Sequence, residues 1–191
     1  CSSSNLIKDE RATNRSSFPK TNQSLWSNSW FLLSFQMSLQ HAAVLGDLEA
    51  LRDRIERGDV IDGRDELGLT PLMWACIQDH HECALALIEA GAAVDMVDSS
   101  GDTALMCACD CDHHECAQAL IEAGAAVEVV NNDGDTALMR ACYFGKHECA
   151  QALIDAGAAV DMVTNNGWTA LMYACRSGHL ECAQAVIEAG A

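Results

Sequence analysis

The sequence predicts an all-α solenoid, in which short helix-turn-helix units stack along the chain and are joined by β-hairpin loops. The main observation is a fixed period: the segment from Thr70 to Cys76 returns in nearly the same form at Thr103, Thr136 and Thr169, each time thirty-three positions further along. A second observation is that each period holds two short helical patterns, and helices of this length are marginal in isolation. Such self-similarity is typical of stacked units that share a core, and it argues against one globular core.

Comparison within the chain places one domain of stacked units over residues 37–191. Its four regular units are 65–97, 98–130, 131–163 and a truncated 164–191. A fifth unit, 37–64, opens the array and is more polar, as suits a cap that faces water. The residues before it, 1–36, carry no repeat and are rich in serine and asparagine, so we expect a leader that is either disordered or not translated.

The first helix of each unit follows a glycine turn and a threonine. Gly68 stands two residues before Thr70, where a tight turn can use positive φ, and the threonine is a predicted N-cap. The apolar run from Leu72 to Ile77 gives about two helical turns, which need support from neighbouring units. The helix is predicted to end at residues that tolerate a left-handed conformation, namely Asp79, Asp112, Gly145 and Gly178.

The second helix is predicted from about His80 to Ala90 in the first regular unit. One buried face collects Cys83, Ala84, Leu87 and Ile88. The helix ends at a glycine in every regular unit: Gly91, Gly124, Gly157 and Gly190. Ala-Ala-Val and an acidic residue then lead through an extended hairpin to the next turn.

Helix, turn, helix and hairpin within one period, with Thr-Pro-Leu at the start and Ala-Gly-Ala at the end, resemble the ankyrin repeat family over about 37–191. One departure is systematic. The family usually has a histidine after Thr-Pro-Leu, within a hydrogen-bond network around the threonine, and this chain has Met73, Met106, Met139 and Met172. We expect the thioether to fill the same volume without that network. The resemblance implies a protein-interaction module whose hairpins and first helices line a concave groove.

The charge of the chain indicates which partners to expect. The formal charge is −17, and residues 37–191, with seven basic and 26 acidic side chains, carry −19. Such a field repels phosphate backbones and anionic lipid surfaces, so we expect neither nucleic acid nor membrane as a partner. The interpretation favours a protein partner with a basic or mixed surface.

Eight of the eleven cysteines follow the period of the array, which indicates a structural role. Four lie in first helices and four in second helices: Cys76, Cys109, Cys142, Cys175, Cys83, Cys116, Cys149 and Cys182. Equivalent cysteines of stacked units would be roughly 8–10 Å apart, so we expect no cross-link along the stack. Within one unit, Cys76 could face Cys83. Buried free thiols imply a reducing compartment, in the cytoplasm or the nucleus.

No catalytic or metal site is predicted, and no cofactor. The densest group of possible ligands surrounds Cys107 and Cys111, which share a helix face, but the nearby Cys109 and Cys116 are explained by the periodic core. The chain has no glycine-rich phosphate loop and no glycine-flanked serine nucleophile, so we expect no enzyme. A redox or metal sensor acting through the cysteines is an alternative interpretation.

Positions that vary between units are the candidates for function. All aromatic residues of the array occupy such positions, and aromatic and arginine side chains most often carry binding energy at interfaces. The candidate partner-binding residues are Trp74, Arg140, Tyr143, Phe144, Trp168, Tyr173 and Arg176. For Trp74 and Tyr173, packing between units is an equal alternative. A further alternative for the whole chain is the targeting portion of a longer enzyme or signalling protein, because the end of the last unit, 181–191, has no polar substitutions that would cap the stack.

Overall fold

A computed structural model of the protein describes residues 38–191. The predictions for the leader 1–36 lie outside the described residues. Within the described part, ten α-helices follow one another in five pairs. They are α1 Leu39–Leu45, α2 Leu48–Glu56, α3 Pro71–Ile77, α4 His81–Glu89, α5 Ala104–Cys111, α6 His114–Glu122, α7 Ala137–Phe144, α8 His147–Asp155, α9 Ala170–Ser177 and α10 Leu180–Glu188.

The pairs stack in sequence order, which confirms the all-α solenoid. Each first helix packs on the second helix of its own unit and on the first helix of the next unit, and the second helices form a parallel row of their own. Short helices are stable here because each lies between neighbours that cover its apolar face. In the part of the chain that the structure describes, no helix is long and apolar enough to cross a bilayer.

The predicted threonine caps are confirmed. Thr70, Thr103, Thr136 and Thr169 each accept, through the side-chain oxygen, a hydrogen bond from the backbone N–H of the methionine three residues on, at 3.2–3.3 Å. Met73 differs from the expectation, because its sulfur accepts a hydrogen bond from the backbone N–H of Thr70 at 3.4 Å. A thioether is a weak acceptor, yet here it completes a capping box and so keeps one bond of the kind a polar side chain would supply.

The left-handed helix ends are also confirmed. Asp112, Gly145 and Gly178 end their helices with φ of 70°, 71° and 78°. Asp79 follows the end of α3 with φ of 62°. Aspartate adopts this region more readily than most residues that carry a Cβ atom, so the first helices of all four regular units turn sharply into the second helix of the unit.

In three of the regular units, the residue before the second helix reaches back to the preceding unit. His80 Nε2 lies 3.2 Å from the Val44 carbonyl oxygen, and His113 Nδ1 lies 2.8 Å from that of Cys76. At the third of these positions Lys146 pairs with Asp112 at 3.6 Å. These contacts fix the offset between neighbouring units at the left-handed turn.

The connecting loops are turns rather than paired strands. Among residues 38–191 the only β-bridge is an isolated antiparallel one between Val97 and Thr103. Each loop is held instead by the side chain of the first residue of its unit. Asp98, for example, accepts hydrogen bonds from the backbone of Ser100 at 2.7 Å and Asp102 at 3.0 Å. These side-chain bonds supply what a strand ladder would otherwise provide.

The core runs without a break through the stacked units. Met73, Met106 and Met139 are each only 1% exposed, whereas Met172 in the last unit is 50% exposed because no described residue covers its outer face. The repeated methionines therefore fill the interior between units, as expected, wherever a following unit lies against them.

The buried thiols influence one another across the boundaries between units. The neighbouring Cys116 thiol, from the second helix of the next unit, and burial raise the pKa of Cys76 above its usual value. Cys149 and Cys182 have the same effect on Cys109 and Cys142. These neighbours lie on the diagonal from a first helix to the following second helix, whereas the expected spacing of roughly 8–10 Å concerns equivalent positions. The ten cysteines within 38–191 are all free thiols.

Candidate partner-binding site

Six of the seven candidate residues come together at the last two units. Tyr143 and Phe144 occupy the final turn of α7, Trp168 immediately precedes the cap of α9, and Tyr173 lies in the first half of α9. These four rings, which we call the aromatic cluster, are joined by Arg140 of α7 and Arg176 of α9. The cluster forms because positions one period apart lie side by side in a stack of repeated units.

The rings touch in an unbroken chain. The centroids of Phe144 and Tyr143 are 4.9 Å apart and those of Tyr143 and Tyr173 are 5.4 Å apart, both pairs edge to face. Trp168 and Tyr173 are stacked with centroids 5.5 Å apart. These are the favoured geometries for aromatic pairs, each contributing about 0.5–1.5 kcal/mol beyond the area it buries. All four side chains remain half-buried, so part of each ring faces solvent.

Arg140 anchors the cluster to the preceding unit. Its Nε donates to Asp110 Oδ1 at 2.8 Å and its Nη2 to Asp110 Oδ2, while Nη1 lies 3.9 Å from Asp135 Oδ2. Its side chain is only 17% exposed. Burial alone would lower the pKa of Arg140, but the hydrogen bond and charge of Asp110, together with Asp102 and Asp135, raise it above the usual value. The guanidinium therefore stays charged and is held inside the molecule, with its central carbon 5.2 Å from the centre of the Phe144 ring.

Tyr173 is tied to the same carboxylates. Its hydroxyl donates to Asp135 Oδ1 at 3.1 Å across the boundary between two units. Burial raises the pKa of Asp135 above its usual value, although the Tyr173 hydroxyl and the Arg140 charge act in the opposite direction. Burial and the nearby Asp135 likewise raise the pKa of Tyr173. Tyr173 therefore links two neighbouring units through its hydroxyl, while part of its ring faces solvent.

Arg176 is the most accessible member of the group. Its guanidinium carbon lies 5.0 Å from the centre of the Trp168 ring, and the side chain is exposed. Stacking on an aromatic face orients a guanidinium while leaving its N–H edge able to donate. A carboxylate or carbonyl of an incoming protein is the complement of such an edge.

Trp74 lies two units away from the cluster. Its Nε1 donates to Asp65 Oδ2 at 2.9 Å within its own unit, and the ring is partly buried against the core. The structure therefore gives Trp74 an intramolecular hydrogen bond that links a first helix to its own hairpin turn.

Sequence reasoning misses Asp110 and Asp135 as partners of Arg140. Both stand at positions that vary between units, since the next unit has Tyr143 in place of Asp110 and Trp168 in place of Asp135, and both carboxylates are largely buried. One feature of the sequence could have revealed the ion pair. Asp110 and Arg140 have opposite charges and are separated by slightly less than one period, which places them on neighbouring first helices.

The comparisons with known proteins agree with this architecture. A family model described as ankyrin repeats in three copies matches residues 39–131 and 124–191. A search among curated proteins finds none that matches the chain.

Among residues 38–191, no three histidine, cysteine or acidic side chains are arranged to hold a metal ion.

Proposed function

The chain belongs to the ankyrin repeat family, and from this premise we propose that it binds a partner protein through the first helices and hairpin turns of units 131–163 and 164–191. Ankyrin repeats are generally protein-interaction modules, and the fold is typically not enzymatic. The function we propose is recognition by shape and by removal of apolar surface from water, without a chemical step.

The observation that carries this proposal is the aromatic cluster. Four half-buried rings in contact, with Arg176 exposed beside Trp168, give a preorganised surface that loses little side-chain entropy on binding. Arg140 packs against the Phe144 ring and forms an ion pair with Asp110, so its charge is satisfied inside the molecule. The contact residues we propose are therefore Phe144, Trp168 and Arg176, with Tyr143 and Tyr173 as their support.

Charge complementarity supports a basic partner surface. The array has a formal net charge of −19. The part that follows Arg64 holds most of its carboxylates but only three basic residues. A field of this sign accelerates the approach of a cationic surface and weakens with added salt. We propose that binding takes place in the cytoplasm or the nucleus, where the cysteines within 38–191, none of which forms a disulfide in this structure, would remain reduced.

Site-specific photo-crosslinking tests the surface. A benzophenone amino acid is introduced at Phe144, at Trp168 or, as the control, at Leu85, which is an exposed apolar residue of the second helix α4. We expect covalent protein adducts from positions 144 and 168, little from position 85, and a loss of adducts when Arg176→Ala is added. The adducts should survive nuclease treatment and decline as the salt concentration rises.

Equal adduct formation from position 85, with folding intact by circular dichroism, would place the binding surface on the second helices and refute the proposal. Adducts that disappear after nuclease treatment would instead point to nucleic acid as the bridge.

A further inference from the structure

The hairpin turn of unit 164–191 contains an asparagine followed directly by a glycine, Asn166-Gly167. This dipeptide occurs once in the sequence, because the other regular units have Leu67, Ser100 and Asp133 before the corresponding glycine. A side-chain amide at this place can react with the backbone nitrogen of the next residue, and a glycine has no Cβ atom to hinder the approach. The pair therefore has a chemistry that the other turns lack.

Asn166 is exposed, and its side-chain amide makes no hydrogen bond within the part of the chain that the structure describes. Its neighbour differs, because Asn165 Nδ2 donates to the Asn132 carbonyl oxygen at 3.0 Å, as Asn132 Nδ2 does to that of Ser99 at 3.1 Å. Exposure belongs to the turn position, since Asp133 is exposed at the corresponding place although another unit stacks on its own. The Asn166 amide is therefore accessible to water and can rotate toward the backbone.

The turn itself is held by a few hydrogen bonds that must open for the reaction. The Gly167 N–H donates to the Thr164 carbonyl oxygen at 2.9 Å. Thr164 Oγ1 accepts from the backbone N–H groups of Asn166 and Trp168 at 3.3 and 3.1 Å. In the preceding unit Asn131 Oδ1 holds the two corresponding N–H groups at 3.0 and 2.9 Å. The longer bonds of Thr164 favour opening of this turn, and exposed loop tips open most readily.

An aspartate already occupies this position in the preceding unit. Gly134, which follows Asp133, has φ of 83°, close to the 77° of Gly167. Conversion of Asn166 to aspartate would therefore give a turn that the array already contains, with one added negative charge. Isoaspartate has a different effect, because its peptide link runs through the side-chain carbon and lengthens the backbone just before Trp168 of the aromatic cluster.

We propose that Asn166 is a deamidation site, at which water converts the side-chain amide into a carboxylate through a succinimide. The Gly167 backbone nitrogen loses its proton and attacks Cγ of Asn166. A C–N bond forms, and the side-chain nitrogen takes up a proton and leaves as ammonia. Water then opens the ring at the side-chain carbonyl to give aspartate, or at the backbone carbonyl to give isoaspartate. One water is consumed for each ammonia released, and nothing is oxidised or reduced. The site does not depend on the proposed binding surface.

Peptide mapping tests the site on the full chain. The folded protein is incubated at neutral and at mildly alkaline pH and digested with trypsin, and a sample digested without incubation gives the baseline. Cleavage after Arg140, Lys146 and Arg176 places Asn166 in peptide 147–176. We expect this peptide to gain the mass difference between a hydroxyl and an amino group, at residue 166 by fragmentation, and to separate into two products. Conversion should be faster at the higher pH, because the attacking nitrogen must lose its proton.

The chain contains its own comparison in peptide 65–140. Asn132 is also exposed, but the next residue is Asp133, whose Cβ atom hinders the attack, so we expect this peptide to keep its mass. Asn166→Gln should abolish the conversion, since a longer side chain would have to close a larger ring, whereas Asn165→Gln should retain it. Asn166→Asp should unfold at the same urea concentration as the wild type.

Three results would overturn the proposal. The first is an unchanged peptide 147–176 in protein that stays folded by circular dichroism. The second is conversion at Asn132 or Asn165 in place of Asn166. The third is aspartate as the sole product, because direct hydrolysis of the amide gives no isoaspartate and needs no attack by Gly167.

Discussion

Replacing Gly145 by alanine tests how neighbouring units keep their register. Gly145 ends α7 with φ of 71°, and a Cβ atom there would collide with the His179 ring, at 2.6 Å from Cε1 and 2.7 Å from Cγ. Gly178 holds the same position one unit later, with φ of 78°, and a Cβ atom there would meet no described atom within 4 Å. Both substitutions carry the cost of a left-handed alanine, about 1 kcal/mol. Only the first also forces an imidazole ring to move.

The difference between the two variants isolates the contact between units. Overpacking of this kind typically costs about 1–3 kcal/mol. We therefore expect Gly145→Ala to lower the free energy of unfolding by about 2–4 kcal/mol and Gly178→Ala by about 1 kcal/mol. Urea titration followed by circular dichroism measures both values. Adding His179→Ala to Gly145→Ala should bring the loss back toward that of Gly178→Ala, and equal losses for the two glycine variants would refute the reasoning.

Four further predictions concern the ion pair, the caps and the carboxylate beneath the aromatic cluster. Arg140→Ala should lower the free energy of unfolding by about 3 kcal/mol in urea titrations, because Asp110 is left buried without its counter-charge. Thr136→Ala should cost about 1 kcal/mol by the same measurement, and Thr136→Ser much less, since serine keeps the cap. Tyr173→Phe should cost about 1–2 kcal/mol, because a hydrogen bond to a carboxylate is lost, and an unchanged urea midpoint would contradict that bond. Because the pKa of Asp135 is raised in the folded protein, the stabilisation linked to its protonation is present at low pH and is lost as the pH rises through that pKa. The urea midpoint of Asp135→Asn should therefore rise relative to that of the wild type between about pH 3 and pH 7. A difference between the two midpoints that stays constant with pH would argue against a raised pKa.

Unit boundaries and helix ends follow from the amino-acid sequence alone. The regular period gives the boundaries, and the local chemistry of threonine and of left-handed residues gives the ends of each first helix. The sequence also brings the candidate site together, since Arg140 and Tyr173 are one period apart and must occupy neighbouring first helices. These features depend on contacts within a unit or between equivalent positions.

The side chains that meet across the boundary between units are known only from the three-dimensional packing. The ion pair of Arg140 with Asp110, and the hydrogen bond from Tyr173 to Asp135, join positions that are not equivalent and whose separations differ from the period. Such partners depend on the offset and rotation between stacked units, and a sequence period states neither. The loops differ from their prediction in a similar way: the side chain of Asp98 holds its hairpin turn, so the sequence pattern of an extended hairpin forms a single bridge instead of a strand ladder.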